Sequence, residues 1–179
     1  PSMDILISSN LERLLFDLYD GDSQAVAGLM ENLKTQGTYQ VSPAVKAKSE
    51  ELFWGGSCDD RQTKETIYKY FEKYGYLMDT HTAVAMKVYE DYAAQSGDDT
   101  KTVVASTANP YKFSGSVLEA VRGSSAREGD EFALVERLHQ STFCPVPENL
   151  ACLKNKAVRF EDQCPKDGLE DYVKGVLEL

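Results

Sequence analysis

The stretch from Lys101 to Phe113, KTVVASTANPYKF, constrains the fold of this chain most. Residues 102–105 are a short β-branched and apolar run, which is typical of a strand buried on both faces of a sheet. Ser106 and Thr107 follow at its predicted carboxyl end, and the strand ends at Asn109-Pro110 because proline has no N–H to donate. Ligands of open α/β sheets bind outside the carboxyl ends of strands, so both hydroxyls are candidate ligand contacts.

Most of the other segments have a helical pattern. Apolar residues recur at three- and four-residue spacing in about seven segments, and several follow a capping signal, such as Ser9 with Glu12, or Asp79 or Thr80. The helix after Asp79 has a predicted inner face of Ala85, Val88, Tyr89 and Tyr92. An α/β sheet alternates strands with helices, yet only residues 102–105 form a convincing strand. We therefore expect a helix-rich α/β fold with an incomplete parallel sheet whose other strands come from elsewhere.

Composition narrows the class of protein. The chain has 179 residues, about one domain, and 29 acidic against 19 basic residues, which disfavours nucleic-acid binding. No apolar run approaches the ~18 residues of a membrane span, and no signal peptide opens the sequence. The four cysteines are widely spaced without a Cys-x-x-Cys pair, so we expect no metal site and reduced thiols in a cytoplasmic protein.

Three segments resemble threonine synthases, a family of fold type II (tryptophan synthase β-like) pyridoxal-phosphate enzymes. They are PSMDILISSNLERLLFDL at the start, YGYLMDTHTAVA in the middle and STANPYKF from Ser106. They occur in the family's order and cover most of residues 1 to about 120. The resemblance implies a C-terminal fragment of such an enzyme. Residues 1–125 would be the C-terminal portion of the cofactor-binding α/β region, and residues 126–179 a helical C-terminal extension packed on it.

The resemblance also implies a reaction and a cofactor. The parent enzyme would convert O-phospho-L-homoserine and water to L-threonine and phosphate, by γ-elimination and β-addition on pyridoxal 5'-phosphate. The Schiff-base lysine, in a Phe-Lys-Asp-type segment, and the Gly/Asn-rich loop for the cofactor phosphate would lie upstream in the same polypeptide. Because neither appears in these 179 residues, we expect no catalytic lysine here and no synthase activity from the chain alone.

The same resemblance assigns candidate site residues. Thr107 would face the pyridine nitrogen of the cofactor with support from Ser106, Lys112 would face a phosphate, and His81 would line the active site. This chain departs from the family's pattern at two positions. Thr80 stands where the family tends to have proline, and Asn109 where it often has histidine, so no role is carried over to Asn109.

Other interpretations stay open at this point. The hydroxyls of Ser106 and Thr107 can simply satisfy backbone groups, Lys112 can be a solvated lysine, and His81 a structural one. Another fold type II lyase, such as a dehydratase, is an alternative enzyme. A small non-catalytic interaction protein starting at Met3, with Pro1-Ser2 as a cloning remnant, is an alternative from a different class.

Overall fold

The structure, a computed structural model, describes residues 7–178, so Pro1 to Met3 and the alternative start at Met3 lie outside the described residues. The chain divides into two compact units, one ending at Cys144 and one beginning at Pro145. In the first unit the α-helices are α1 (Ser9–Leu18), α2 (Ser23–Gln36), α3 (Pro43–Glu50), α4 (Asp60–Tyr74), α5 (Thr80–Ser96), α6 (Ser114–Arg122) and α7 (Glu131–Thr142). In the second they are α8 (Glu148–Ala151) and α9 (Leu169–Leu177).

The helices begin where short polar side chains satisfy their free N–H groups. The carboxylates of Asp22, Asp59 and Asp79 accept from backbone N–H groups in the first turns of α2, α4 and α5. Of the two caps predicted for α5, Asp79 is the one that the structure has. The capping box predicted at Ser9 and Glu12 is wrong by one residue. Ser8 caps α1 instead, and its hydroxyl accepts from the N–H of Leu11.

Two sets of helices form the apolar interior of the first unit. Helices α1, α2 and α3 bury a cluster made of Leu15, Leu18, Val26, Leu29 and Val45. Helix α4 packs on α5 and α6, and α6 packs on α7. The side chains with least exposure in that second group include Ile67, Met78, Val117, Leu118 and Leu138. Burial of these apolar groups is the main stabilising contribution to the helical part of the unit.

The predicted strand is absent. The described residues contain no β-strand, and residues 102–105 are irregular, with Val103 94% exposed. None of their backbone groups takes part in a backbone–backbone hydrogen bond in this structure. A strand needs a neighbour to pair with, and the 172 described residues supply none, so the expected incomplete parallel sheet is corrected to an all-helical arrangement.

The predicted inner face of α5 is also wrong. Thr82 and Ala83 are its buried residues, whereas Ala85 is exposed and Val88, Tyr89 and Tyr92 are only partly buried. These four side chains line an open apolar groove together with residues 52–54 and 102–105. Their helical spacing therefore marks a face that the described residues cover only in part, for example where Trp54 packs against Tyr92.

The second unit is short. The helix near the C-terminus, α9, is amphipathic, but its apolar residues Leu169, Val173, Val176 and Leu177 are exposed. Residues 157–160 form no strand, and residues 141–156 contain α8. In residues 7–178, no helix combines the length and hydropathy needed to span a membrane.

Candidate functional site

The candidate site begins with a buried carboxylate at the start of α5. Asp79 is fully buried, and its Oδ1 accepts from the backbone N–H groups of His81 at 2.8 Å and Thr82 at 3.4 Å. The Thr82 hydroxyl donates to the other carboxylate oxygen, Oδ2. A buried carboxylate is costly unless it is hydrogen-bonded, and these donors satisfy it. Asp79 thus fixes the position of the Thr82 side chain.

Thr82 in turn holds Ser106. The hydroxyl oxygens of Thr82 and Ser106 lie 3.0 Å apart, although the two residues are 24 positions apart in sequence. Because Thr82 has a single hydroxyl hydrogen and gives it to Asp79, Ser106 is the donor in this contact. The lone pairs of Ser106 face no other donor of the described residues. Thr107, next in the chain, is exposed, and its hydroxyl makes no hydrogen bond within that same part of the protein.

The segment after Thr107 is anchored on its other side. The Asn109 side chain accepts from the N–H of Tyr111 at 3.0 Å and so begins a 3-10 helix, Pro110–Phe113. Tyr111 is buried, and its hydroxyl donates to the carbonyl oxygen of Cys144 at 2.6 Å. Ser106 and Thr107 therefore lie between two anchored positions, the contact with Thr82 on one side and buried Tyr111 on the other, although no sheet holds them.

His81 and Lys112 both lie near the ring of Phe113. The ring centroids of His81 and Phe113 are 5.0 Å apart, and His81 Nδ1 is 3.3 Å from Asp79 Oδ1. Lys112 is exposed, with its Nζ 5.5 Å from the Phe113 centroid. His81 thus contacts the buried Asp79 carboxylate directly, and Ser106 is connected to it through Thr82. Lys112 lies near His81 through their shared neighbour Phe113.

The sequence identified Asp79 only as a possible helix cap, and it missed the role of Thr82. Thr82 connects the buried Asp79 carboxylate to Ser106, and the only sequence signal for this is a threonine three residues after a capping aspartate. Within residues 7–178, no three His, Cys, Asp or Glu side chains are grouped as metal ligands. The site is therefore an arrangement of hydroxyls and an imidazole on a buried carboxylate, suited to binding a polar organic group.

Comparison with known proteins identifies the family. The family described as "Threonine synthase, C-terminal" matches residues 82–167. Threonine synthase of Pseudomonas aeruginosa is 35% identical over 146 residues, which are 81% of this chain and 31% of that protein. The chain belongs to the threonine synthase family.

Solved structures of the threonine synthase family agree with this assignment. The crystal structure of PLP-bound threonine synthase from Brucella melitensis matches 98% of this chain and 33% of its own, with 33% identity and a TM-score of 0.73. Threonine synthase from yeast matches 99% of this chain and 36% of its own, with 28% identity and a TM-score of 0.75. The chain therefore spans about a third of the length of these relatives.

Proposed function

We propose that this chain is the C-terminal part of a cytoplasmic threonine synthase, which makes L-threonine and phosphate from O-phospho-L-homoserine and water. The observation that carries the proposal is the similarity of 98% of the chain to a PLP-bound threonine synthase. Residues 1–125 belong to the cofactor-binding region in this proposal, and residues 126–179 form a helical extension.

The hydroxyls of Ser106 and Thr107 fit the ring-nitrogen end of pyridoxal 5'-phosphate. Thr107 is exposed and has no hydrogen-bond partner among the described residues, so its hydroxyl is available to a ligand. When bound, the cofactor would supply an electron sink, which stabilises the electron pair left on the substrate carbon when its C–H bond breaks. Thr107 would then donate a hydrogen bond to the ring nitrogen, and Ser106, whose hydroxyl oxygen lies 3.0 Å from that of Thr82, would support the position of Thr107. A neutral hydroxyl, unlike a carboxylate, does not hold the ring nitrogen protonated.

His81 and Lys112 have supporting roles in this proposal. His81 presents a half-exposed ring beside the buried Asp79 and so lines the substrate side of the site. Lys112 is an exposed cation about one turn beyond the hydroxyls and would pair with a phosphate group. Both residues bind and orient the substrate, while the lysine that binds the cofactor lies in the remainder of the polypeptide.

The open groove is a second reason to expect an upstream part of the polypeptide. Leu52, Phe53 and Trp54 are 75%, 52% and 43% exposed, and they lie along the same groove as residues 102–105. An extended segment with unpaired N–H and C=O groups beside an apolar groove is suited to pairing with an added strand. We assign that strand to the upstream remainder of the threonine synthase polypeptide, and we expect the chain alone to be inactive.

The test begins with the genomic DNA immediately upstream of the codon for Pro1. We expect an open frame that encodes a cofactor-binding lysine and a Gly/Asn-rich loop. The encoded remainder, produced together with this chain, should bind pyridoxal phosphate and form threonine from O-phospho-L-homoserine. Thr107→Val should lower kcat at least about tenfold, and Thr100→Val, a nearby exposed control, should leave it unchanged. Turnover by this chain alone, or an assembled protein without turnover, would contradict the proposal.

A further inference from the structure

The two oxygen atoms of the Asp79 carboxylate have separate partners. Oδ1 accepts from the backbone N–H groups of His81 and Thr82 and so caps α5. Oδ2 accepts from the side-chain hydroxyl of Thr82 and, among the described residues, from nothing else. A helix cap needs only one acceptor oxygen, which asparagine or serine also supplies. The second oxygen therefore has a role that capping does not explain.

The second carboxylate oxygen fixes the direction in which the hydroxyls of this site donate. A carboxylate can only accept, and a threonine hydroxyl has one hydrogen to give. Thr82 gives that hydrogen to Asp79, so the 3.0 Å contact between the hydroxyl oxygens of Thr82 and Ser106 uses the hydrogen of Ser106. Because Thr82 is 3% exposed and Asp79 is fully buried, water does not compete for the Thr82 hydrogen. Ser106 therefore donates to Thr82, and Thr82 donates to Asp79.

This order leaves the neighbouring hydroxyls of Ser106 and Thr107 with different capacities. Ser106 has given its hydrogen to Thr82, so it can offer a ligand only its lone pairs. Thr107 is exposed and makes no hydrogen bond with the part of the chain that the structure describes, so it keeps a hydrogen to donate. An acceptor atom of a ligand, such as an unprotonated ring nitrogen, can therefore take a hydrogen from Thr107 but not from Ser106.

We propose that Thr82 is a positioning residue, which acts through Ser106 and directs the Ser106 hydrogen away from the ligand. The inference rests on the proposed function for the identity of that ligand, pyridoxal 5'-phosphate. With Ser106 restricted to accepting, Thr107 is the donor of the pair to the ring nitrogen. Asp79 is fully buried, so it sets this order without touching the ligand.

The variant Asp79→Asn separates the helix cap from the order of the hydroxyls. Its amide oxygen still accepts from the N–H groups of α5, while its NH₂ group takes the place of Oδ2 and donates to the Thr82 hydroxyl. Thr82 then gives its hydrogen to Ser106, and Ser106 becomes free to donate. Asp59→Asn is the matched control, because the Asp59 side chain caps α4 and, within the described residues, accepts only from the N–H of Gln62.

The first experiment uses the complete chain alone. In ¹H–¹⁵N NMR spectra, Asp79→Asn should shift the amides of Ser106 and Thr107 as well as those at the start of α5, and Asp59→Asn should leave the amides of Ser106 and Thr107 in place. Urea unfolding then measures the coupling between Thr82→Val and Ser106→Ala. Because both variants break the same contact, the unfolding equilibrium constant of the double variant should be about threefold below the value expected for independent effects. Independent effects, or unshifted amides of Ser106 and Thr107 in Asp79→Asn, would overturn the proposal.

The second experiment uses the chain assembled with the upstream part of the polypeptide and pyridoxal 5'-phosphate. Thr82→Val should lower kcat about fivefold with little change in KM and shift the absorption band of the bound cofactor, because the Ser106 hydrogen then competes with Thr107 for the ring nitrogen. Thr82→Ser keeps the hydroxyl and should restore both values. Thr66→Val, at a buried threonine whose hydroxyl donates to the Gln62 carbonyl, controls for lost stability and should change neither.

The two experiments distinguish failure of this inference from failure of the proposed function. An active enzyme in which Thr82→Val leaves both kcat and the absorption band unchanged, or in which Thr82→Ser does not restore them, would overturn the positioning role alone. An assembled protein that makes no threonine would refute the proposed function. The NMR and unfolding results on the chain alone decide the order of the hydroxyls independently of turnover.

Discussion

The packed helices α4, α6 and α7 and the open groove beside residues 102–105 both contain apolar sequence, but they bury it to different extents. In the helices, Ile67, Val117 and Leu138 have no solvent exposure. In the groove, Val103 is 94% and Leu52 75% exposed, and the backbone of residues 102–105 lacks pairing partners. An apolar sequence pattern therefore indicates that a segment is suited to burial. The partner that covers the segment need not lie in the same stretch of chain.

The largest expected effect on stability comes from a pair of side-chain truncations, one in the packed helices and one in the groove. Ile67→Ala should lower the free energy of unfolding of the chain by about 3 kcal/mol, because it leaves a cavity among fully packed side chains. Val103→Ala should change it by less than about 0.5 kcal/mol, because its side chain is already in water. Urea unfolding of both variants measures the difference. Equal losses would mean that the groove is closed in solution.

The second effect concerns the carboxylate that connects the two regions. Asp79→Ala removes a helix cap and leaves the Thr82 hydroxyl without its acceptor, so we expect a loss of about 2 kcal/mol. Asp130→Ala, an exposed cap at the start of α7, is the control and should cost about 1 kcal/mol. Urea unfolding again supplies the measurement. A smaller loss for Asp79→Ala than for Asp130→Ala would show that burial of this cap adds nothing.

A charge introduced into the groove should affect the assembled protein but not the isolated chain. Val103→Asp should leave the unfolding free energy of the chain within about 0.5 kcal/mol of wild type, since residue 103 is solvent-exposed. In the assembled protein the same carboxylate would be buried without a partner and should prevent association. Size-exclusion chromatography with the remainder of the polypeptide tests this. Lys101→Asp, just outside the groove, is the control, and normal assembly of Val103→Asp would contradict the role of the groove.

The smallest effect is a pH dependence on the surface between α4 and α5. Burial opposes the charge of Glu90, but hydrogen bonds from Lys69 and Tyr70, both at 2.7 Å, outweigh it and lower the pKa of the Glu90 carboxyl. Its contribution to stability is therefore complete above the ordinary glutamate pKa of about 4.3, and is lost as the pH falls through the lower folded value.

Glu90→Gln should remove this part of the acid-side decrease in stability. Urea unfolding at neutral pH and near pH 3 measures it, and the loss from Glu90→Gln should be present at neutral pH and vanish in acid. Glu65→Gln, in the exposed Arg61–Glu65 pair, is the control and should show little change at either pH. An unchanged pH slope in Glu90→Gln would contradict the assignment.

Local signals predicted the helices well, because a cap such as Asp59 or Asp79 and its helix lie within a few residues of each other. The segment 102–105 shows the limit of the same reasoning. Its β-branched pattern predicts a strand, but strand formation depends on a partner that residues 7–178 do not contain.

The site was predictable in part. Ser106 and Thr107 follow from their place after the apolar run and from the resemblance to threonine synthases. The ion pairs of Glu119 with Lys64 and Arg127 could not be predicted, because these residues come from three separate segments and meet only through the packing of α4 and α6. The contact of Thr82 with Ser106 is equally non-local.

We propose above that residues 102–105 pair with the remainder of a threonine synthase polypeptide. Amide hydrogen exchange of Val103, Val104 and Ala105 measures this directly, in the chain alone and after assembly with the upstream part. We expect rapid exchange in the chain alone and at least about 100-fold slower exchange after assembly, with α4 protected in both states. Protection of these amides in the isolated chain, or continued rapid exchange in an assembled and active enzyme, would contradict the claim.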